Sequence, residues 1–199
     1  MSMPAGYFDA LYQHNEDPWG FRRRWYERRK RELALATLPR QRYAHIFEPG
    51  CSNGELSVAL AERCDRLLSC DISARATALA RERLAAFPGA EVRTAQLPEE
   101  WPAGPFDLIV LSELGYYLSE ADLQRLIQRC LGSLSADGAL LACHWLHPIL
   151  DCPLDGRQVH RLLHANLPLQ RAVRHEESDF LLELWCVPHC TVDLDEDAL

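Results

Sequence analysis

The stretch HIFEPGCSNGELSVALAERCDRLLSCDIS, residues 45–73, places two acidic residues around a turn of small residues. Glu48 ends one apolar run, and Asp71 ends the next. Gly50 and Gly54 bracket the turn, where the absence of a side chain leaves room for a ligand against the backbone. An ionised carboxylate accepts hydrogen bonds through two oxygens, so Asp71 suits the two hydroxyls of a ribose. These residue types at this spacing predict a nucleoside site.

The charge around the turn indicates which nucleoside fits. A dinucleotide site requires the pattern GxGxxG, with phosphates at the start of a helix. Residues 50–55 read GCSNGE, so the third glycine is absent, and Glu48 would repel phosphates. S-adenosylmethionine carries an ammonium and a sulfonium and no phosphate, so its charge matches an acidic site. The sequence therefore favours this methyl donor over NAD, and a nicotinamide oxidoreductase is the less favoured alternative.

Hydrophobic periodicity predicts the elements that position these residues. Apolar segments predict strands at residues 43–48, 66–72, 90–97, 106–114 and 136–145, and a pair of strands within 168–187 that meets at 176–178. Helical spacing predicts helices at residues 54–64, 73–87 and 119–134. Strands that alternate with helices through short loops predict an α/β fold. We expect a Rossmann-like three-layer sandwich whose seven-stranded, mostly parallel sheet ends in a C-terminal antiparallel hairpin.

The chain is expected to form a single domain, residues 1–199, in three parts. Residues 1–42 contain two helical segments split at EDPWG, residues 16–20, and are predicted to form a helical lid. Residues 43–187 form the Rossmann-like core, and residues 188–199 form an acidic tail. In doubly wound sheets, ligands bind beyond the carboxyl ends of the strands, where the strand order reverses.

The bulk composition restricts the partners and the location. With 199 residues and a net charge of −8, the chain lacks the basic character of a general nucleic-acid binder. No apolar run approaches the ~20 residues that cross a bilayer, and no basic region followed by an apolar stretch opens the chain. We therefore expect a cytoplasmic monomer or weak homodimer that acts on a small molecule and binds neither nucleic acid nor membranes.

The cysteines do not form a recognisable framework. Eight of them are scattered through the predicted strands and helices, which favours reduced thiols over disulfides. In the segment CVPHC, Cys186, His189 and Cys190 lack the spacing of zinc ligands, and no further ligands accompany them. We expect no metal site.

Methyl transfer from a sulfonium is an in-line displacement, so alignment of the acceptor supplies most of the catalysis. An amine acceptor must also lose a proton, which requires a nearby base or a route to solvent. The candidate bases are Glu113, at the tip of the fourth strand, and the histidines after the fifth strand, His144, His147 and His160. Tyr116 and Tyr117 are candidates to frame the methyl group or a sugar ring. Alternatively, Glu113 binds backbone amides or anchors the lid through an arginine, and Tyr117 belongs to the core. His160 and His164 are interpreted as surface or substrate-contacting residues rather than as a metal pair.

The arginine-rich segment at residues 21–31 belongs to the lid, and a solvated helix face is the ordinary interpretation of such a run. Tyr26 and Lys30 share one helical face. A cation there would pair with the methionine carboxylate of the cofactor, and an aromatic ring would cover the sulfonium by cation–π attraction. Trp19 is a further candidate cofactor contact, with anchoring of the lid to the core as its alternative.

The segments FEPGCSNG, CDIS and FDLIVLSELGYYL resemble class I S-adenosylmethionine-dependent methyltransferases. The first motif of that family is E/D-x-G-x-G-x-G, and its sheet ends in an antiparallel hairpin. More narrowly, YFDALYQHNEDPWGFRRRWYERRKRELALATLP, SELGYYL and HWLHP resemble the nodulation protein S (NodS-like) family, from about Tyr7 to Val187. The resemblance implies an enzyme that uses S-adenosyl-L-methionine to N-methylate an amino sugar in lipochitooligosaccharide biosynthesis.

By position, the resemblance also implies roles for individual residues. The cofactor turn would comprise Glu48, Gly50, Cys51, Ser52, Asn53 and Gly54, with Asp71 at the ribose and Ile72 beside the adenine. Ser52 replaces the middle glycine of the general pattern, which exchanges one small residue for another. Gln96 stands where many family members have an acid that accepts from the adenine amino group, and its carbonyl can accept the same bond. Leu97 would flank the ring.

Two further functions remain open beside the oxidoreductase. An O-methyltransferase acting on another small metabolite would share the cofactor and differ in its acceptor. A nucleoside-binding regulatory module would keep the turn and lack the chemistry.

Overall fold

A seven-stranded sheet forms the centre of the structure, a computed structural model that describes residues 1–187 and Val192. The strands are β1 Tyr43–Pro49, β2 Cys64–Asp71, β3 Ala90–Thr94, β4 Phe106–Ser112, β5 Leu134–Trp145, β6 Gln170–Glu176 and β7 Phe180–Cys186. They lie in the order β3-β2-β1-β4-β5-β7-β6. β7 runs antiparallel to both of its neighbours, and the other pairs are parallel. The predicted mostly parallel sheet with a C-terminal hairpin is confirmed.

Helices cover the sheet and its carboxyl edge. In the described part of the chain they are α1 Ala5–His14, α2 Trp25–Ala36, α3 Glu55–Ala61, α4 Ala74–Arg83, α5 Glu120–Ser133 and α6 Gly156–Asn166, with a 3-10 turn at Gly115–Tyr117. Ser73 and Ser119 cap α4 and α5, because each hydroxyl accepts the amide hydrogen of the residue three positions on. Such caps satisfy backbone donors that have no partner inside the helix, so they fix where each helix begins.

Several predicted element ends differ from the structure by two to four residues, and for two of them a neighbouring strand explains the difference. α3 ends at Ala61 rather than at residue 64, because Cys64 already begins β2. β3 ends at Thr94 rather than at residue 97, because Thr94 pairs with Asp71, the last residue of β2. Beyond Thr94, β2 has no further residues with which β3 could pair.

Hydrophobic side chains fill both faces of the sheet. Along β4, Leu108 and Val110 belong to one core cluster, whereas Ile109 and Leu111 belong to the other. All four are at most 2% exposed. A strand that is buried on both faces has a continuous apolar run instead of an alternating one. The segment LIVL accordingly lies in the middle of the sheet.

Hydrogen bonds hold the N-terminal segment on the edge where the parallel strands end. Asp9 in α1 accepts from the hydroxyl of Ser73 at 2.7 Å. The hydroxyls of Tyr12 and Ser52 share a hydrogen bond, and the amide of Met3 donates to a carbonyl in the 3-10 turn at 2.8 Å. The two helical segments predicted within residues 1–42 are therefore present as α1 and α2, and they cover the site predicted at that edge.

Some predictions fall on residues that the structure does not describe. The acidic tail at 188–199, apart from Val192, lies outside the described residues, as do His189 and Cys190. Within residues 1–187, the seven cysteines are free thiols, and no cluster of His, Cys, Asp and Glu is arranged to hold a metal ion. Nor does that part of the chain contain a helix with the length and apolarity to cross a membrane.

The fully buried Leu108 provides a test of this core. We expect Leu108→Ala to lower the free energy of unfolding by about 2–5 kcal/mol, because it removes buried methyl groups and leaves a cavity in a central strand. Leu150→Ala is the matched control, since Leu150 is 85% exposed and should change stability little. Urea unfolding followed by circular dichroism measures both. Equal effects of the two substitutions would contradict the assigned core.

Candidate active site

A cavity of about 440 Å³ lies at the carboxyl ends of β1, β2 and β4 and beneath α1 and α2. The strand order reverses here, because β1 lies between β2 and β4. Ligands of doubly wound sheets bind at such a point. Among the predicted site residues, Gly54 and His144 do not line the cavity. Those that do are Trp19, Tyr26, Lys30, Glu48, Gly50, Cys51, Ser52, Asn53, Asp71, Ile72, Gln96, Leu97, Glu113 and Tyr117.

The turn after β1 depends on its two glycines. Gly50 and Gly54 have φ angles of +78° and +82°, in the left-handed region that residues with a Cβ rarely adopt. A Cβ on Gly50 would approach the side chain of Leu114 to 3.2 Å, and one on Gly54 would approach the backbone of Ala80 to 3.0 Å. Gly54 therefore packs the turn against α4, whereas Gly50 keeps the cavity floor open. Ser52 also has a positive φ, at +53°.

Asp71 connects the turn to the following helix. Its two oxygens accept from the amides of Ser52 and Ser73, each at 2.9 Å. Burial raises the pKa of Asp71, while these backbone donors favour the ionised form. Since each carboxylate oxygen can accept more than one hydrogen bond, both oxygens retain capacity for a ligand in the cavity. A pair of adjacent hydroxyls matches this arrangement.

Glu48 is buried beneath the same floor and has different partners. Its Oε2 accepts from the hydroxyl of Ser57 at 2.5 Å and from that of Ser69 at 2.7 Å. Burial raises the pKa of Glu48 to about 7, although the two hydroxyl bonds act in the opposite direction. From the sequence, we expected an acid that is fully ionised at this position. Because its pKa is raised to about 7, the charge of Glu48 near neutral pH depends on the charge of neighbouring groups and of the ligand.

The far end of the cavity has an apolar wall with one polar side chain. Ile72 and Leu97, predicted to lie beside the adenine, line it. Gln96 is exposed at this end, and its backbone amide donates to Glu100 at 2.7 Å. The amide side chain of Gln96 can accept or donate, which suits the edge of a nucleobase.

Lys30 is not available to a ligand carboxylate in the way that the sequence indicated. Its ammonium lies 2.9 Å from Glu27 and 2.6 Å from Glu113, and its side chain is 6% exposed. It also lies 5.0 Å above the ring of Tyr26. Burial by itself lowers the pKa of Lys30, but the neighbouring carboxylates and other anionic partners more than offset it and the net pKa is raised. The ammonium is therefore charged and already neutralised by protein carboxylates.

Glu113 joins the lid to two strands. Its Oε1 accepts from Lys30, and its Oε2 accepts from the hydroxyl of Tyr116 and from the amide of Trp145 at 3.0 Å. The predicted alternative, in which Glu113 binds backbone amides and anchors the lid, describes these contacts, with a lysine in place of an arginine. Glu113 has a φ of +57°, which directs its side chain away from the course of β4.

The aromatic candidates lie on the lid side of the cavity. Tyr117 is 7% exposed and packs edge-on against Phe8, with ring centroids 5.0 Å apart. Trp19 packs against two other rings of the lid, Tyr12 at 5.9 Å and Phe21 at 5.6 Å, and lines the cavity. These rings form an aromatic wall of the cavity.

His144 is completely buried and lies behind this wall rather than in it. Its Nε2 accepts from the amide of Gly115 at 3.0 Å, and its Nδ1 lies 3.1 Å from Nε2 of His160. Both ring nitrogens are therefore occupied. The structure places neither nitrogen at the cavity, so direct proton abstraction by His144 has no support in its position.

Three polar groups at the cavity have properties, within the described part of the chain, that the sequence did not indicate. Arg24 lines it, and no carboxylate among residues 1–187 pairs with its guanidinium. Asn53 is 1% exposed, and its side-chain carbonyl lacks a hydrogen-bond partner. Tyr26, predicted for its ring alone, has a buried hydroxyl that also lacks a partner. Arg24 belongs to a run of seven cations, and spacing alone could not identify which of them faces the site.

Comparison with known proteins agrees with this geometry. Residues 46–138 match the family described as a methyltransferase domain. A solved structure of a methyltransferase candidate from Pseudomonas syringae is 59% identical to this chain, with a TM-score of 0.74. The match covers 82% of this chain and 99% of that one. The chain belongs to the class I S-adenosylmethionine-dependent methyltransferases.

Within this methyltransferase family, the nodulation proteins are similar to the chain. Nodulation protein S of Sinorhizobium fredii is 27% identical over 128 residues, which make up 63% of this chain and 59% of that protein. The chain thus spans less than two thirds of that relative's length. The N-methyltransferase NodS of Bradyrhizobium japonicum WM9, solved with S-adenosyl-L-homocysteine, is 24% identical with a TM-score of 0.80, and the match covers 91% of this chain and 100% of that one. This likeness confirms the predicted methyltransferase fold.

Asp71 provides a direct test of the nucleoside site in this methyltransferase. We expect Asp71→Asn to weaken binding of S-adenosylhomocysteine by at least about tenfold, because charge-assisted hydrogen bonds to the ribose are lost. Isothermal titration calorimetry measures the affinity.

Asp107→Asn is the matched control for Asp71→Asn. Asp107 also accepts from two backbone amides, those of Ala44 and His45, but it lies at the opposite edge of the sheet. Loss of affinity in both variants, or in neither, would contradict the placement of the ribose at Asp71.

Glu48 predicts a pH dependence of cofactor binding. Because its pKa in the free protein is raised to about 7, Glu48 is largely protonated below that pH, and a cationic ligand favours the ionised form. Binding of S-adenosylmethionine should therefore release a proton, and the affinity should rise between about pH 6 and about pH 8.

Calorimetry in two buffers of different ionisation enthalpy measures the released proton. Glu48→Gln has no titrating group at this position, so the affinity of that variant should not change with pH in this range. An affinity of the unmodified protein that falls as the pH rises would contradict the coupling.

Proposed function

We propose that the chain transfers the methyl group of S-adenosylmethionine to the amino nitrogen of a small polar acceptor such as an amino sugar. The observation that carries the proposal is a single cavity that is lined both by the glycine turn with Asp71 and by aromatic rings of the lid and of the 3-10 turn. We include in the proposal that the protein acts in the cytoplasm, as a monomer or weak homodimer, without nucleic acid or membrane partners.

The residues at the cradle fit the cofactor. Gly50 lines the cavity, and a Cβ at this position would crowd the side chain of Leu114. Each oxygen of Asp71 accepts one backbone hydrogen bond and can accept another from a ribose hydroxyl. Arg24 is a cation on the cavity wall that pairs with no carboxylate of residues 1–187, so we assign it to the carboxylate of the methionine part in place of Lys30. When bound, the cofactor supplies a methyl group on a positively charged sulfur.

The lid supplies the other surface of the site. Phe8, Trp19 and Tyr117 present aromatic rings to the cavity, and such rings pack well against the apolar faces of sugar rings while excluding water. Exclusion of water matters because methyl transfer depends on alignment of the acceptor and gains little from bulk solvent. Tyr26 adds a hydroxyl without a protein partner, which is suited to a hydroxyl or amine of the acceptor.

The structure favours a solvent route for the proton of the amine. Glu113 lies on the wall, but its carboxylate already accepts from Lys30, Tyr116 and the amide of Trp145, so its oxygens are engaged by protein donors. We therefore infer that Glu113 fixes the lid and the negative potential of the site, and that the acceptor enters with a neutral amine. The rate should accordingly increase with pH as the acceptor loses its proton in solution.

A transfer assay tests the proposal. We expect the purified protein to transfer label from methyl-labelled S-adenosylmethionine to glucosamine or to a chitin oligomer with one free amine. The N-acetylated form of each compound is the matched control, because acetylation removes the nucleophilic nitrogen and keeps every hydroxyl. Mass spectrometry and nuclear magnetic resonance (NMR) of the product distinguish an N-methyl from an O-methyl group.

Several outcomes would contradict the proposal. Equal labelling of the free and acetylated compounds would indicate O-methylation. Binding of S-adenosylhomocysteine without transfer to any amine or hydroxyl acceptor would favour a nucleoside-binding regulatory module. Binding of NADH in preference to S-adenosylhomocysteine would exclude the methyltransferase mechanism altogether.

A further inference from the structure

A chain of buried polar groups extends from the C-terminal hairpin to the turn beside the cavity. Oε2 of Glu183 in β7 lies 2.7 Å from Nδ1 of His160 in α6. Nε2 of His160 lies 3.1 Å from Nδ1 of His144 in β5, and Nε2 of His144 accepts from the amide of Gly115 at 3.0 Å. The three side chains are at most 3% exposed. We call these four groups the histidine chain.

The proton positions in the histidine chain follow from its two ends. The amide of Gly115 can only donate, so Nε2 of His144 must be an unprotonated acceptor. Neutral His144 then has its proton on Nδ1 and donates to Nε2 of His160. His160 in turn has its proton on Nδ1 and donates to the carboxylate of Glu183. One tautomer of each ring therefore satisfies every member of the chain.

The histidine chain does not carry protons to the acceptor. Its inner end is a backbone amide, which does not give up its proton, and His144 does not line the cavity. What it contacts instead is the 3-10 turn Gly115–Tyr117. The fit there is close, because a Cβ on Gly115 would lie 2.5 Å from Val159 and 3.1 Å from Nε2 of His144.

The 3-10 turn carries two residues of the cavity wall. Tyr116 donates from its hydroxyl to Glu113, which binds Lys30 of the lid, and Tyr117 packs against Phe8 of α1. Displacement of the turn would move both residues relative to the glycine cradle. Because methyl transfer requires an in-line approach, small displacements of this wall have large effects on rate.

We propose that His144 is a positioning residue whose unprotonated Nε2 holds the 3-10 turn, and with it the lid-facing wall of the methyltransferase site. Glu183 and His160 act through His144 by fixing its tautomer. The expected effect of His144 on kcat rests on the proposed methyl transfer. The tautomer of His144 does not depend on that function.

The charges around His144 support the neutral form. Lys30 faces it from the lid, Tyr116 lies against it with ring centroids 5.5 Å apart, and His160 occupies its other nitrogen. Burial lowers the pKa of His144, and the nearby His160 and Lys30 lower it further.

Glu183, at the other end of the histidine chain, is held ionised by arginines. It accepts from Arg171 at 2.8 Å and lies 3.6 Å from Arg174.

An added proton on His144 would have to occupy Nε2, because Nδ1 already has one. There it would face the amide hydrogen of Gly115, and the hydrogen bond from that amide to Nε2 would be lost.

Two substitutions of His144 separate its two hydrogen bonds. A glutamine places a polar atom near the position of Nε2 and can accept from Gly115, whereas an asparagine places one near Nδ1 and can donate only towards His160. We expect His144→Asn to lower kcat by about tenfold or more, and His144→Gln to recover most of that loss. The affinity for S-adenosylhomocysteine should change little in either variant. His164→Asn, at an exposed position on α6, is the control.

NMR of the unmodified protein tests the tautomer without relying on activity or on a variant that folds. Long-range ¹H–¹⁵N spectra of ¹⁵N-labelled protein should show two histidines, His144 and His160, protonated on Nδ1 alone. The signals that disappear in His144→Gln belong to His144, and they should not titrate over the pH range in which the protein remains folded. A proton on Nε2 of His144, or its titration near the usual pKa of histidine, would overturn the proposal. So would equal kcat values for His144→Asn and His144→Gln. Absence of transfer with the Nδ1 tautomer present would reject the proposed function and leave the positioning contact established.

Discussion

The lid and the sheet are joined by a buried cation. Lys30 of α2 lies between Glu27 of its own helix and Glu113 at the end of β4, with almost no exposure to solvent. An ammonium taken out of water is stable only when carboxylates and hydrogen bonds replace its hydration. Glu113 must therefore stay beside Lys30, and its second oxygen in turn accepts from the hydroxyl of Tyr116 and from the amide of Trp145. The positions of α2, the 3-10 turn and the end of β5 thus depend on one ion pair.

The two acids that flank the glycine turn are held by different kinds of donor, and this gives them different properties. Asp71 accepts from backbone amides, which can only donate and so favour its ionised form. Glu48 accepts from serine hydroxyls, which can rotate and accept as well, so its protonated form is also satisfied. The site therefore combines an aspartate whose backbone donors favour the charged form with a glutamate whose charge responds to neighbouring groups.

The cavity wall combines two parts of the chain. The match to the methyltransferase domain covers residues 46–138, which include the glycine turn, Asp71, Glu113 and Tyr117. Phe8 and Trp19 of the lid precede that segment. A shared cofactor cradle with a variable lid is consistent with one fold that serves many acceptors.

The sequence by itself determined the features that depend on neighbours along the chain. The glycine turn, the serine caps of α4 and α5 and the central strand LIVL were predictable, because backbone conformation and hydrophobic periodicity are local properties. The same holds for the acids at the strand ends, which follow directly from where each apolar run stops.

The tertiary structure alone decided how distant side chains pair. The partner of Lys30 is 83 residues away, and no pattern within α2 distinguishes a ligand carboxylate from Glu113. His144 lies in a strand whose second half is buried on both faces, so alternation could not indicate whether it faced the cavity or α6. Only the packing of α6 against β5 and β7 brings His160 and Glu183 to it, and this contact gives His144 a structural partner in place of a substrate.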